Sequence, residues 1–289
     1  MVTVGKLLKE GTELLAGAGI GTPRLDAEVL LYNVLKVDRL HLHMYPEKEI
    51  SKEEEALFWT YMAQRKNHMP VQYIIKKQEF MGLDFFVEEG VLIPRGDTEI
   101  LVEKAIEIYK EKFEPQKVRI MDIGTGSGAI VVSLAKFIEN SILTAIDISP
   151  KAFEVAKKNA AHHGVDHKIA FYLGSLFEAL YGKDEHKEYD FIVSNPPYIP
   201  KAVVDTLDAG VKDYEPHLAL DGGADGLDFY REITLGAKEY LKSGGWLLFE
   251  IGYDQGESVS ELLIANDLKE VQVRKDLAGL DRVVLGKKQ

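Results

Sequence analysis

From residue 97 onward, apolar stretches of strand length alternate with segments of helical period, and no other feature restricts the fold as much. The strand candidates are Val118–Ile123, Ile142–Ile146, Ile169–Leu173, Phe191–Val193 and Trp246–Ile251. Helical patterns fall at Glu99–Tyr109, Ala129–Ile138 and Pro150–His162, with Gly164 after the last as a C-cap. Alternation of this kind specifies an α/β fold with a mostly parallel sheet and helices on both faces. Ligands of such sheets bind beyond the carboxyl ends of the strands.

Residues 1–70 read differently. Leu7, Leu8, Leu14, Leu15 and Ala18 recur at helical spacing. Thr22-Pro23 has the form of an N-cap with proline at the first helical position. Ser51 and Glu54 fit a capping box opening a helix through Leu57, Phe58, Tyr61 and Met62. A small helical bundle is expected. From Val71 the stretches VQYIIKKQEF and LDFFVEEGVLI are β-rich and separated by Met81-Gly82, which predicts a hairpin over 71–94 that links the bundle to a domain spanning 95–289.

Composition excludes several classes. The net charge is −12, which disfavours broad contact with a nucleic-acid backbone. The absence of cysteine removes disulfides and thiolate metal sites. No uncharged apolar run approaches the ~20 residues that span a bilayer, and the N-terminus lacks a signal-peptide core. A soluble, cytoplasmic protein without nucleic-acid or membrane partners is expected.

The run DIGTGSGAI, Asp122 to Ile130, follows a strand and opens a helix. Gly124, Gly126 and Gly128 permit the backbone angles of a tight turn and keep side chains away from a ligand. The helix start behind them offers free N–H groups. Asp147, ending the next strand in TAIDISP, can accept both hydroxyl protons of a ribose. These features point to a nucleoside-type cofactor. They also satisfy the looser dinucleotide pattern, so a nicotinamide cofactor stays open on this loop alone.

At the end of the fourth strand candidate stands DFIVSNPPYIP, containing Asn195, Pro196, Pro197 and Tyr198. Two prolines are poor strand filler because neither donates a ladder hydrogen bond. Each also forces the residue before it into extended geometry, here Asn195 and Pro196. The result is a rigid segment offering carbonyl acceptors without competing donors, a side-chain carbonyl on Asn195 and a flat face on Tyr198. Such a group can hold a planar –NH2 by its two protons.

Taken in order, DIGTGSGAI, AIDISP and NPPY resemble a class I S-adenosylmethionine-dependent methyltransferase acting on a planar nitrogen. The segments PVQYIIKKQEFMGLDFFVEEGVLIPR, VKDYEPHLALDGGADGLDFYREI and KDLAGLDRVVLG closely resemble the bacterial release-factor glutamine methyltransferases, called HemK-like. The resemblance is strongest from Pro70 to Tyr253. It implies a seven-stranded, Rossmann-like catalytic domain joined by a hairpin to an N-terminal helical substrate-recognition domain. It implies methylation of the glutamine side-chain amide nitrogen in the Gly-Gly-Gln loop of class I peptide chain release factors, with S-adenosyl-L-methionine as methyl donor. Residues carried over are Gly124, Thr125, Gly126, Ser127 and Gly128 for the methionine end, Asp147 for the ribose and Leu176 for the adenine. The Asn195 backbone touches the cofactor in the same reading. Asn195, Pro196, Pro197 and Tyr198 are carried over as the catalytic and substrate-binding group. Three positions depart from the family pattern: Lys76 and Gly96 replace a usual glycine and proline, and Ser175 replaces a common aspartate.

Other residues have plainer readings. His163 and His167 are separated by the helix-ending Gly164, and no H-E-x-x-H is present, so no metal site is expected. Asp221, Asp225 and Asp228 in DGGADGLD depart from a calcium-loop pattern and read as loop and cap residues. Arg65, Lys66, Lys76 and Lys77 form a short basic stretch, read as a solvated face or a contact for an acidic partner. Arg95 and Thr98 border either a substrate channel or a helix entry. Three rivals remain: an amino-group methyltransferase of DNA or RNA, an NAD reductase that leaves NPPY unexplained, and a cofactor-binding module without catalysis.

Overall fold

The computed structural model of the chain describes residues 2–182 and 188–289, which divide into two units. The first comprises Met1–Lys77 with Asp208–Tyr214, and the second Gln78–Leu207 with Glu215–Gln289.

The first unit is helical. Its helices are α1 (Val4–Gly17), α2 (Pro23–Leu35), α3 (Arg39–Met44), α4 (Lys52–Lys66) and α5 (Val71–Ile75). Local chemistry sets their starts. Ser51 and Glu54 form the full capping box: the Glu54 amide donates to Ser51 Oγ at 3.2 Å, and the Ser51 amide donates to Glu54 Oε2 at 2.9 Å. Pro23 occupies the first turn of α2, but the Thr22 hydroxyl donates to Asp26 Oδ1 at 2.9 Å and does not cap a backbone amide. Leu7, Leu15, Leu30, Leu31, Phe58 and Met62 are fully buried and close the core, each aliphatic contributing about 1.5–3 kcal/mol. Gly11 lets α1 approach α4, since a Cβ there would lie 2.9 Å from the Phe58 ring. Arg65 belongs to this interior and not to a basic face. Its side chain is 17% exposed, and Nε donates to Asp26 Oδ2 at 2.7 Å. The remaining Lys66, Lys76 and Lys77 are exposed.

The hairpin is shorter than its sequence predicts. Its strands are β1 (Lys77–Phe80) and β2 (Leu83–Phe86), joined through Met81 and Gly82, both at positive φ. Val71–Ile75 is a helical turn, because Pro70 starts it and Tyr73 and Ile74 turn inward and are buried. Lys76 is therefore the left-handed cap of α5 (φ 54°), a position that favours glycine, and not a strand residue. A Lys76→Gly variant is expected to be about 0.5–1 kcal/mol more stable to urea, by relief of a strained φ on an exposed residue. Lower or unchanged stability would contradict that account.

The second unit is built on a seven-stranded sheet in the order β5-β4-β3-β6-β7-β9-β8. The strands are β3 (Val118–Ile123), β4 (Ser141–Asp147), β5 (Ile169–Leu173), β6 (Tyr189–Ser194), β7 (Leu241–Glu250), β8 (Lys269–Lys275) and β9 (Asp281–Lys287). All pairings are parallel except β7 with β9 and β8 with β9. Helices α6 (Glu99–Lys112), α7 (Ala129–Phe137) and α8 (Pro150–His162) follow the predicted positions. Alternate residues of one strand feed two cores. Phe191 and Val193 pack with Leu101 and Val131 on one face. Ile192 packs with Tyr230 and Ile233 of the helix Asp228–Tyr240 on the other. Burial on both faces explains why these strands read as continuous apolar runs. Sequence patterning does not single out β8, whose residues KEVQVRK are mostly exposed on the sheet edge, where charge discourages further pairing. Among the described residues no helix is long and apolar enough to cross a membrane.

The chain order reverses direction across the sheet between β3 and β6: β4 and β5 lie to one side of β3, β6 and β7 to the other. Crevices at such a reversal are where open α/β sheets take ligands.

Candidate active site

The glycine loop leaves β3 at this reversal. Gly124, Gly126 and Gly128 all have positive φ (76°, 56° and 83°), which accounts for glycine at each. At Gly124 and Gly126 an added Cβ would meet nothing within 4 Å, so the space beside the turn is open. At Gly128 it would lie 3.1 Å from Ala156 Cα, so that glycine also seats α7 against α8. The Gly124 and Thr125 amides donate to the Ile146 carbonyl at 2.9 and 3.0 Å. Thr125 Oγ1 donates to Asp122 Oδ2 at 2.6 Å. The Ser127 carbonyl accepts from Asn159 Nδ2 at 2.8 Å. Asn159, fully buried on α8, also exchanges two bonds with the Phe86 backbone, and so ties the loop to the end of the hairpin.

Asp147 ends β4 beside this loop. Its Oδ2 accepts from the Gly126 amide at 2.7 Å and its Oδ1 from the Ser149 amide at 2.8 Å. Burial raises its pKa, and the backbone donors only partly offset this. Leu176 lies just past the end of β5, half-buried at φ 43°, after Gly174 whose amide donates to the Asp147 carbonyl at 2.9 Å. Ser175 precedes it and starts the short 3-10 helix Leu176–Leu180.

On the other side of β3, Ser194 of β6 pairs in register with Ile123, and its hydroxyl donates to the Ile123 carbonyl at 2.6 Å. Asn195 therefore emerges next to Gly124. The structure brings Leu176, Asp147, Gly124–Gly128 and Asn195–Tyr198 to four successive strand ends, a row of about 14 Å at ordinary strand spacing.

The Asn195–Tyr198 segment is held from behind. The Ile199 amide donates to the Leu220 carbonyl at 3.0 Å, and the Ile199 carbonyl accepts from the Gly222 amide at 2.9 Å. Added Cβ atoms at Gly222 and Gly226 would lie 2.7 Å from Tyr198 Cα and 2.3 Å from the Tyr198 carbonyl oxygen. The DGGADGLD glycines are thus the wall against which the tetrapeptide is pressed. A Gly222 Cβ would also be 2.8 Å from the Pro197 carbonyl, so that oxygen faces the wall. Gln255 Nε2 donates to the Tyr198 carbonyl at 3.1 Å. By contrast, no backbone N–H among the described residues donates to the Asn195 or Pro196 carbonyl.

Asn195 Nδ2 donates to Thr98 Oγ1 at 3.3 Å. Thr98 closes the 3-10 turn Gly96–Thr98, entered from Arg95 in extended geometry, which suits a proline at 96 as well as the glycine present. Arg95 itself donates to the buried Glu215 at 2.5 Å. Behind Thr98 sits Glu250, the last residue of β7, 2% exposed. Burial pushes Glu250 up to about 7, while the Thr98 hydroxyl, the Arg282 guanidinium and the Asn195 amide hold it down. Asp122, fully buried, is likewise raised to about 7 by burial, with Asp147 adding to the rise. The Tyr198 phenol is raised to about 12, chiefly by burial, and stays neutral.

Asp122, Glu250, Gln255 and Asn159 are not among the residues the sequence marks for the site, and Thr98 is marked there only as bordering either a substrate channel or a helix entry. Only the tertiary fold brings these side chains to the row of strand ends: Asn159 stands on α8 behind two lysines, and Glu250 closes an apolar run. One signal was available: a charged residue such as Glu250, closing an apolar strand run, is seldom buried without a task.

Comparison with known proteins gives a consistent picture. The family described as PrmC N-terminal domain matches residues 6–75, and the Methyltransferase small domain matches residues 98–223. A release factor glutamine methyltransferase of Geobacter sulfurreducens is 42% identical over 285 residues, covering 99% of this chain and 96% of that protein. One from Clostridium acetobutylicum is 45% identical over 260 residues, covering 90% of each. Among solved structures, the N-terminal domain of human METTL16 in complex with SAH superposes with a TM-score of 0.53 at 18% identity, over 95% of this chain and 94% of that one, a likeness of fold.

Proposed function

The chain belongs to the release factor glutamine methyltransferase family, and on that premise we propose that it methylates the side-chain amide nitrogen (N5) of the glutamine in the Gly-Gly-Gln loop of class I peptide chain release factors. It is an S-adenosyl-L-methionine-dependent protein-glutamine methyltransferase. The observation that carries the finer reading is the pairing of Ile123 with Ser194, which sets the glycine loop and the Asn-Pro-Pro-Tyr segment side by side.

The residues present suit a cationic nucleoside donor. Asp122 and Asp147 are buried carboxyl groups at the ends of two neighbouring strands, beside the glycine loop. Asp122 Oδ1 has no hydrogen-bond partner among the described residues. The turn at Gly124 and Gly126 borders open space. Asp147 receives the ribose hydroxyls, Leu176 packs on the adenine, and the glycine loop with Asp122 takes the methionine end. Bound there, S-adenosyl-L-methionine supplies a methyl carbon activated by a sulfonium for in-line displacement.

The protein's own task is to make an amide nitrogen attack. That lone pair is delocalised, as the ~18–20 kcal/mol barrier to C–N rotation shows. No side chain of ordinary pKa deprotonates such a group. Asn195 Oδ1 and the Pro196 carbonyl each accept one N–H of the glutamine amide, which orients the nitrogen and concentrates electron density on it; as the nitrogen gains the methyl group it sheds one of these two protons to solvent, and the thioether product leaves. Fixed geometry of this kind supplies up to ~7–11 kcal/mol, and the oriented dipoles add to it. Tyr198, neutral and half-buried, packs on the glutamine stem and excludes water.

Two results are expected of the donor pocket. Asp147→Ala weakens binding of the donor about tenfold or more, through the lost ribose acceptor and the freed Gly126 amide; unchanged affinity by calorimetry would contradict the assignment. Affinity in the wild-type protein also falls as pH drops below about 7, where Asp122 takes up a proton and no longer offsets the ligand's positive charge. A flat affinity between pH 6 and 8 would remove Asp122 from that role.

The function itself is tested by incubating the protein and labelled donor with a release factor, with the same factor carrying Gln→Ala in its Gly-Gly-Gln loop, and with duplex DNA. Label on the intact factor alone is expected. Label on both versions would move the target elsewhere, and label on DNA would favour a nucleic-acid methyltransferase.

A further inference from the structure

An asparagine amide can sit in its slot two ways round, and only one of them serves the reaction. With Oδ1 toward the glutamine, Asn195 accepts a proton from the nitrogen to be methylated. With the amide turned over, its NH2 faces the substrate NH2, donor against donor. Something must select between these orientations.

Ser194 pairs with Phe249 across parallel strands, so the next residues in register are Asn195 and Glu250, which leave the two strand ends side by side. Thr98 is 4% exposed and lies 3.3 Å from Asn195 Nδ2 through its hydroxyl oxygen. A hydroxyl that accepts this bond retains one proton to donate. Glu250 offers the acceptor, and its Oε2 is buried with no partner among the described residues. We propose that Thr98 and Glu250 are positioning residues that lock the Asn195 amide with its NH2 turned inward and its carbonyl oxygen turned to the substrate. This rests on the reading that Asn195 accepts a proton of the glutamine amide.

The lock needs an ionised Glu250. A neutral carboxyl donates its own proton to Thr98 Oγ1, and the threonine hydroxyl then points its proton at Asn195 and competes with the amide NH2. The charged and titratable groups that act on Glu250 are Arg282, Asp97, Tyr198 and Tyr230. Arg282 is shared between Asp97 and Asp276, each at 3.2 Å, and keeps its charge throughout. Both phenols are raised above their ordinary range and stay neutral at physiological pH. Glu250 is the group in this set whose charge changes near neutrality.

The test measures kcat on a Gly-Gly-Gln release factor at saturating donor, from pH 5.5 to 9, for the full-length wild type and E250Q, T98V, T98S and N195A, with donor affinity measured in parallel. Expected are a kcat of E250Q and T98V lowered about tenfold or more with donor affinity unchanged, recovery of the lost rate in T98S, and an acid limb near pH 7 in the wild type that is absent in E250Q. If E250Q does not fold, the T98V and T98S pair decides. Wild-type kcat in E250Q or T98V beside an inactive N195A would overturn this inference alone. A rate loss in E250Q with the acid limb unmoved would also overturn it. Full activity in N195A would overturn the reading of the site and this inference with it.

Discussion

Asn195→Ala is expected to lower kcat about 100-fold or more while donor affinity changes little. The substitution removes one of two fixed acceptors and leaves the other, the Pro196 carbonyl, in place. Ser194, one residue before, holds the strand end through its bond to the Ile123 carbonyl, so the backbone survives the change. Thr98 and Glu250 lose only the group they are proposed to orient. The effect should therefore fall on the chemical step and not on donor binding or folding. A single-turnover rate with preloaded donor, beside a melting curve, separates these. A normal rate in the alanine variant would remove Asn195 from the reaction.

Gly226→Ala should have an effect of similar size from a residue outside the tetrapeptide. An added methyl would lie 2.3 Å from the Tyr198 carbonyl oxygen and 2.8 Å from Gln255 Nε2, at a φ of 76°. Both Tyr198 and Gln255 must shift, and the shift passes to the two prolines through a segment with no flexible joint. Misplacement by about 1 Å can cost a factor of ~100 in rate. The expected result is a folded protein, destabilised by about 1 kcal/mol from the strained φ, that binds the donor and methylates about 100-fold more slowly. Retained activity would mean that the tetrapeptide's position is set elsewhere.

The parts of this molecule legible in its sequence are those where one physical cause acts locally. Strand β3, the glycine loop and α7 follow from an apolar run, three glycines that need positive φ, and a helical period. Helix α4 follows from its capping box. The Asn-Pro-Pro-Tyr segment shows itself because two prolines make no sense within a strand. Where tertiary packing decides, the signal fades. Val71–Ile75 carries strand-favouring residues, yet it closes a helical turn because Tyr73 and Ile74 face a core. Strand β8 is polar because it is an exposed edge. Arg65 looks like part of a basic face until Asp26, far away in sequence, pairs with it. The same applies at the site. Asn195 announces itself, but Thr98 and Glu250, which face its other side, come from a 3-10 turn and from the end of β7, and nothing in their spacing foretells the meeting.

The proposed grip of two oxygen atoms of one rigid segment on the nitrogen to be methylated can be observed directly. The most direct measurement is a crystal structure of the protein with S-adenosylhomocysteine and a Gly-Gly-Gln peptide. Expected is the glutamine side-chain nitrogen at ~2.7–3.2 Å from both Asn195 Oδ1 and the Pro196 carbonyl oxygen, with the peptide stem against Tyr198. A glutamine amide bound away from these two oxygens, with the nucleoside in place at Asp147, would contradict it.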